Sequence, residues 1–433
     1  MKKGTDKLKM KRRISPAMTF FLTLSLVILA GLVSLLMYTQ VGDRERKGFL
    51  RGQGLSESGL RWEITESDEL QFFWESVPES METLAPQEEI GRYGEILADP
   101  EYMSAENIYA ISNQKKGIVT LGFAGDILFD DEYAIMVNLL NRGAAIENGI
   151  SEALLSQMRD VDIMMINNEF PYTERGTALE DKTYTFRADR GTVRYLTDMG
   201  VDIVSLANNH LYDFGEIGLL DTLDTLKEAG IPYVGAGRNL EEAAAPVYFI
   251  AGDIKIAIVS ATQIERLENP DTKGATENSA GVFRCLDTGK LYEVVAEADA
   301  NSDFVVVYIH WGTENVVEPD WGQLDQAPKL AEAGADLIIG DHSHCLQGFQ
   351  YFGDVPVIYS LGNFWFSSRT LDTCMLQVDI SSRGIEELRF VPAIQQDCRT
   401  DLAYGEEKER IISYMQEISF DVSIDSEGRV SRQ

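Results

Sequence analysis

All four histidines of this 433-residue chain fall in polar strings that close an apolar run. His210 ends Ala207-Asn208-Asn209-His210, and His310 opens His310-Trp311-Gly312. His342 and His344 share Gly340-Asp341-His342-Ser343-His344. Three further strings, Gly125-Asp126, Asn167-Asn168-Glu169 and Leu361-Gly362-Asn363-Phe364, add carboxylates and amides in the same kind of place. Histidine, carboxylate and an Asn carbonyl together suit a divalent ion such as Zn, Mn or Fe. One such histidine is ordinary. All four, in series with Asp126, Glu169 and Asn209, point to one shared metal site. On an extended segment, the imidazoles of His342 and His344 would face the same way.

The elements that must position these residues read as an α/β fold, with short β-branched runs alternating with helical patterns from Gly117 onward. Candidate strands are 118–124, 162–166, 202–206, 255–260, 304–309, 337–339 and 357–360. Candidate helices are 151–159, 192–199, 216–229 and 323–333. The 216–229 helix places Ile217, Leu220, Leu223 and Leu226 on one face and stops at Gly230. Each polar string follows a strand's carboxyl end, where open α/β sheets bind ligands.

Composition excludes other classes. Apolar content of 44% rules out global disorder, and four cysteines are too few for a disulfide scaffold. A net charge of −32 opposes nucleic-acid binding. Residues 1–13 carry seven bases and one acid, and no further charge appears until Asp43. Within that gap Met18–Tyr38 is almost wholly apolar, long enough at about 1.5 Å per residue to cross about 30 Å of hydrocarbon. This predicts a signal anchor over 15–40, with a cytoplasmic tail at 1–14 and the rest outside a bacterial cell membrane. A cleaved signal peptide is the alternative. Residues 41–116 read as an acidic stalk or linker, 117–395 as the main domain and 396–433 as a C-terminal extension. Cys285, Cys345, Cys374 and Cys398 would then meet an oxidising compartment, with two disulfides open to them.

The ordered series Asp, Glu, Asn-His, His, H-x-H resembles the calcineurin-like metallophosphoesterases. The strings Ala207-Asn208-Asn209-His210, His310-Trp311-Gly312-Thr313-Glu314 and Ser360-Leu361-Gly362-Asn363-Phe364 resemble the CapA family of bacterial poly-γ-glutamate capsule synthesis proteins, over about 117–391. The resemblance implies a four-layer αββα sandwich, metallophosphoesterase-like, behind an N-terminal transmembrane helix. It implies Asp126 as the first ligand and Glu169 where the metallophosphatases bridge two metals with Asp. Asn209, His310 and His342 would surround one metal, and His344 would complete the other. His210 would assist the leaving group or the transferring phosphoryl. Two departures weaken the likeness: Leu128 stands where the family's Asp-x-His has histidine, and Glu169 is one methylene longer than Asp. One or two divalent ions are therefore expected.

Arg187, in Thr185-Phe186-Arg187-Ala188, could act beside the reacting group by clamping a phosphate or carboxylate with two hydrogen bonds. Trp311 is a candidate to stack beside substrate, and Asn363 to line the pocket floor. Glu314 is a candidate hydrogen-bond partner for a ligand histidine. Asp130 or Asp131 would compensate for the missing ligand or cap the next helix. Two functions follow. One is a membrane-anchored factor for synthesis, export or retention of an anionic polymer such as poly-γ-glutamate, with capsule synthase membrane proteins as partners. The other is a metal-dependent hydrolase of a phosphoester in the cell envelope.

Overall fold

The computed structural model describes residues 91–264, 272–285 and 287–433. The predicted anchor and most of the acidic stalk lie outside the described residues. The chain divides into two units, 1–92 and 93–433, and the second holds every strand described below.

That unit contains two large sheets. The first has seven strands in the spatial order Ile108–Ile111, Val247–Ala251, Ile254–Thr262, Phe304–His310, Leu337–Asp341, Val355–Leu361 and Leu346–Phe352. Its four central strands, Ile254–Thr262 through Val355–Leu361, run parallel. The second has eight, in the order Arg399–Leu402, Gly384–Gln396, Leu371–Ser381, Val119–Ile127, Ile163–Asn168, Ile203–Ser205 and Tyr233–Val234, with Asn363–Trp365 also paired to Val119–Ile127. Its strands from Val119 to Val234 are parallel.

Three apolar clusters set the layers. Val119, Leu121, Phe123, Ile163 and Met165 of the second sheet pack on Val247, Ile256, Ile258, Val306 and Tyr308 of the first, so the sheets lie face to face. The outer face of the second sheet is covered by helices Ala134–Asn141, Glu152–Arg159, Arg194–Met199 and Gly215–Ala229. Helices Gly289–Asn301 and Trp321–Ala333 cover the outer face of the first. This is the expected αββα layering. Strands buried on both faces are continuous apolar runs, which is why they were readable.

Four aspartates fasten the amino ends of the parallel strands. Asp162, Asp202, Asp303 and Asp336 each precede a strand by one residue, and each accepts the backbone N–H of the neighbouring strand: from Thr120 (2.8 Å), Met164 (2.8 Å), Lys255 (2.9 Å) and Val305 (2.8 Å). The carboxyl ends are thereby left for other chemistry.

Several boundaries differ from expectation. Ile108–Ile111 is an edge strand of the first sheet, so the folded unit begins before Gly117. Helix Gly405–Ile418 buries Ile411, Ile412 and Met415 between the sheets, so the C-terminal segment is part of the core packing. In helix Gly215–Ala229 the buried face carries Leu219, Leu223 and Leu226, spaced at i, i+4 and i+7, while Ile217 falls on the opposite face and is exposed. Gly230 closes that helix at φ 70°, as its lack of a side chain allows.

Candidate metal centre

Both sheets deliver carboxyl ends to the same place. The second sheet supplies Asp126, Glu169 and the Asn208-Asn209-His210 turn; the first supplies His310, Asp341 and the His342–His344 turn. The sheets are tied beneath the site, where Tyr308 donates to the Ala124 carbonyl at 3.0 Å and the hydroxyls of Ser205 and Ser260 lie 2.8 Å apart. After Leu361 the chain crosses to the second sheet through Gly362, whose carbonyl accepts from Asp126 N at 3.1 Å. A Cβ on Gly125 would sit 1.8 Å from that carbonyl oxygen, so only glycine fits before Asp126.

His310 is the centre of the arrangement. Its Nδ1 lies 2.8 Å from Asp341 Oδ1, and its Nε2 lies 2.8 Å from Asn209 Oδ1, 3.0 Å from His342 Nδ1 and 3.5 Å from Glu169 Oε1. On the other side His344 Nδ1 lies 3.0 Å from Asp126 Oδ2 and 2.8 Å from Asn363 Oδ1. Asn167 donates to Asp126 Oδ1 at 2.9 Å and accepts from Asn208 at 3.0 Å. His210 Nδ1 faces Asp213 Oδ2 at 2.8 Å, with Nε2 4.0 Å from Glu169 Oε1.

Asp126, Glu169, Asn209, His310, His342 and His344 are therefore brought together, with His210 beside them. Their ligand atoms form two groups that share Glu169, with His310 and His342 in one and Asp126 and His344 in the other, and a third group, Asp126, His310 and Asp341, overlaps both. Within each, the ligand atoms lie within 4.8 Å of one another.

The electrostatics fit a cation. Glu169 is fully buried, and neither of its oxygens accepts a hydrogen bond. Burial, then the charges of Asp126 and Asp341, push its carboxyl well above the usual range. Asp341 is raised for the same reasons, burial first and Asp126 second. Burial drives His310 down to about 3 and His342 well below the ordinary imidazole value, so both hold free lone pairs. His344 goes the other way: burial opposes its charge, but the bond to Asp126 outweighs it. Asp126 is correspondingly lowered despite burial, chiefly by His344. A buried carboxylate without donors is costly unless a cation partners it. A divalent ion would satisfy Glu169 and the imidazole lone pairs together.

Other residues depart from expectation. The strand ends at Asp341, and His342 and His344 follow at φ 84° and 56° in left-handed backbone. Their convergence comes from a strained turn rather than from an extended H-x-H. Trp311, expected beside substrate, is fully buried in the outer core of the first sheet and donates to the Tyr359 carbonyl at 2.9 Å. Asn363 lies against His344 as its hydrogen-bond partner. Asp130 is neither a ligand nor a cap of helix Ala134–Asn141: it accepts from Glu132 N at 2.9 Å and Arg187 N at 2.8 Å. Leu128, at the position where the resemblance expects a histidine, sits in the core. Arg187 is half-buried, with its guanidinium 4.6 Å over the Phe214 ring. The adjacent Phe186 ring stacks on His210 at 4.2 Å and meets Phe366, which lies 5.1 Å from His344. All four cysteines are free thiols, so neither disulfide is formed.

Sequence reasoning passed over Asp341, Asp213, Asn167 and Lys182. The His210-x-x-Asp213 spacing was visible. The His310–Asp341 pairing depends on strand register and was not.

A family model described as bacterial capsule synthesis protein PGA_cap matches residues 120–368, which include every residue of the two ligand groups. The chain belongs to this family. Outside the family model, it is 28% identical over 333 residues to the capsule biosynthesis protein CapA of Bacillus anthracis, covering 73% of this chain and 77% of that one. It is 29% identical over 282 residues to the PGA biosynthesis protein CapA of Bacillus subtilis, covering 64% and 71%. A solved structure, the 5'-nucleotidase of Candida albicans, overlies it with a TM-score of 0.34 at 10% identity, covering 65% of this chain and 53% of that one. Within the PGA_cap chain, then, the matched segment is the part that carries the buried cluster.

Proposed function

We propose that this PGA_cap protein is a membrane-anchored, extracytoplasmic accessory in the synthesis, export or retention of an anionic polymer such as poly-γ-glutamate, working through a divalent-metal site. Family membership and the two CapA relatives support the polymer. The basic tail followed by the apolar run supports the anchor and the outward-facing domain. The observation that carries the metal site is Glu169, buried with both oxygens unpartnered and shared by both ligand groups.

Glu169, His310 and His342, with Asn209 alongside, would hold one ion; Asp126, Glu169 and His344 would hold another. Mn, Fe and Zn all suit this donor set. Bound divalent ions supply Lewis acidity toward the oxygens of an anionic substrate. The chain's own residues do the rest. Asp341 fixes the His310 ring, Asn363 fixes His344, and Phe186 with Phe366 shields the two outer imidazoles from water. Arg187, anchored at its backbone by Asp130, offers a guanidinium to an anionic group.

One observation favours a second reading, hydrolysis of a phosphoester in the envelope. His210 stands beside Glu169 without joining either ligand group, and Asp213 orients it, as an acid–base group would be. The deciding experiment complements a deletion strain with wild-type or Glu169→Ala chain and measures surface polyanion and bound metal, with a phosphodiesterase assay on the purified protein. The polymer reading expects loss of polymer and metal together. Normal polymer output from a metal-free Glu169→Ala protein would defeat it. Protease added to intact protoplasts should digest the domain; protection would defeat the location.

A further inference from the structure

The segment between Thr173 and Ala188 is an irregular loop whose ends meet, with Thr173 N donating to the Ala188 carbonyl at 3.0 Å and Ala188 N to the Pro171 carbonyl at 2.9 Å. Such a loop would normally be held by its own side chains. Besides Asp221 and Asp130, which hold Arg175 and the Arg187 backbone, this one is held at three points by one residue of the site, Asp213. The Asp213 backbone carbonyl accepts from Leu179 N at 2.9 Å, and Oδ2 accepts from Phe186 N at 2.7 Å. Oδ1 lies 2.6 Å from Lys182 Nζ. The Lys182 side chain is only 7% exposed and Asp213 is fully buried, so this is an interior ion pair. Lys182 Nζ also donates to the Asn209 carbonyl, one residue before His210.

The same Asp213 Oδ2 faces His210 Nδ1. With Lys182 on its other oxygen, Asp213 is a pure acceptor, and the hydrogen bond to His210 then requires the proton on Nδ1. The Nε2 lone pair is left facing Glu169. We propose that Lys182 is a positioning residue: through Asp213 and the Asn209 carbonyl it holds His210 in one tautomer and one ring orientation, with Nε2 presented to the metal centre. A lone structural ion pair would explain the contact with Asp213 but not the second hydrogen bond to the turn that carries His210. A buried pair is weak evidence of stability in itself, because desolvation offsets much of the attraction. Its value here is geometric. The loop that brings Lys182 also brings Phe186 onto the His210 ring, so Asp213 both anchors this part of the loop and orients His210.

The inference rests on the reading that His210 acts at this centre, but its test needs neither turnover nor polymer. With four histidines in the chain, the full-length protein labelled with nitrogen-15 at histidine gives a spectrum in which each ring's tautomer can be read. His210→Gln identifies the His210 signals by their loss. Chelator-treated and zinc-loaded wild type should both show His210 protonated at Nδ1 alone. Lys182→Met should lose that single-tautomer signature, leaving bound zinc near the wild-type level, and Lys182→Arg should regain it. A wild-type His210 carrying its proton on Nε2 would overturn the proposal, and so would a folded Lys182→Met protein with an unchanged His210 signature. If Lys182→Met does not fold, Lys182→Ala is measured in its place, and an unchanged His210 signature in it likewise overturns the proposal. Normal polymer output from a metal-free Glu169→Ala protein, with an intact wild-type His210 signature, would instead count against the function proposed above, so the two failures are separable.

Discussion

His310 and Asp341 are partners twice over. They are opposite each other in the register of two parallel strands, and their side chains meet at 2.8 Å between Nδ1 and Oδ1. The strand pairing thus sets the imidazole orientation: Nδ1–H donates to the carboxylate and Nε2 turns toward Glu169 and His342. Carboxylates behind ligand histidines fix the tautomer and raise ligand basicity, and losing one typically costs about 10–100-fold in metal affinity. Asp341→Ala should weaken metal binding by about that factor while the far-ultraviolet circular dichroism stays at the wild-type level. Titration calorimetry with zinc checks it. Unchanged affinity would remove Asp341 from the site.

His342 and His210 should separate binding from whatever follows binding. His342 belongs to a ligand group, so His342→Ala should lower the metal content of the purified protein. His210 belongs to neither group, so His210→Ala should leave metal content intact while activity falls. Removal of one acid–base group costs about 10²–10⁴-fold in a hydrolysis that uses it. Elemental analysis of both variants, beside the phosphodiesterase and polymer assays, gives the comparison. A metal-replete His210→Ala protein that supports full polymer output would leave the fold a binding device.

Glu169 makes a prediction with opposite signs in two states. Without metal, ionising this carboxyl beside Asp126 and Asp341 is costly, so above the pH at which Glu169 gives up its proton Glu169→Gln should be more stable than the chelator-treated wild type. With metal present the amide is a poorer ligand, and the same substitution should lower affinity. Thermal melts with and without zinc read both effects. A variant less stable than wild type after chelation would mean that Glu169 has another partner.

The legible and illegible parts of this molecule divide by distance along the chain. The strands Val119–Ile127, Ile163–Asn168, Ile254–Thr262, Phe304–His310 and Val355–Leu361 announce themselves as apolar runs, because burial on both faces leaves no alternation to disguise them. Their polar endings could be read as ligands for the same reason: a charged group directly after such a run must lie at a sheet edge. The hairpin of Leu371–Ser381 and Gly384–Gln396 mixes buried with half-buried positions and does not stand out as a strand pair in the sequence, and helix Gly405–Ile418 is only half legible. Whatever depends on register or on a turn was hidden. The Asp341 contact needs the strand alignment, the His342–His344 geometry needs two positive φ angles, and Lys182 reaches Asp213 across 31 residues of sequence. Trp311 shows the converse error, a residue beside a ligand in sequence whose side chain points into the core.

The aspartates at the amino ends of the strands predict how stability varies with pH. Burial raises Asp202 and Asp336 to about 6, above the unfolded value of about 3.9, even though each accepts a backbone N–H. A raised folded value means that the folded state holds the proton more tightly. The stabilisation from protonation is complete below about pH 4 and is lost as pH rises through about 6. Asp202→Asn keeps an oxygen to accept from Met164 N and removes the ionisation. Its stability relative to wild type should therefore climb between pH 4 and 7.5, by about 1 kcal/mol, less than the full shift because the side chain is only partly buried. Asp336→Asn should behave alike, and as the two sit in different sheets their effects should add. Urea midpoints across that pH range for both single variants and the double variant make the measurement. If the relative stability of Asp202→Asn stays flat or falls as pH rises, the carboxylate is ionised in the folded state throughout and the Met164 N–H bond outweighs its burial.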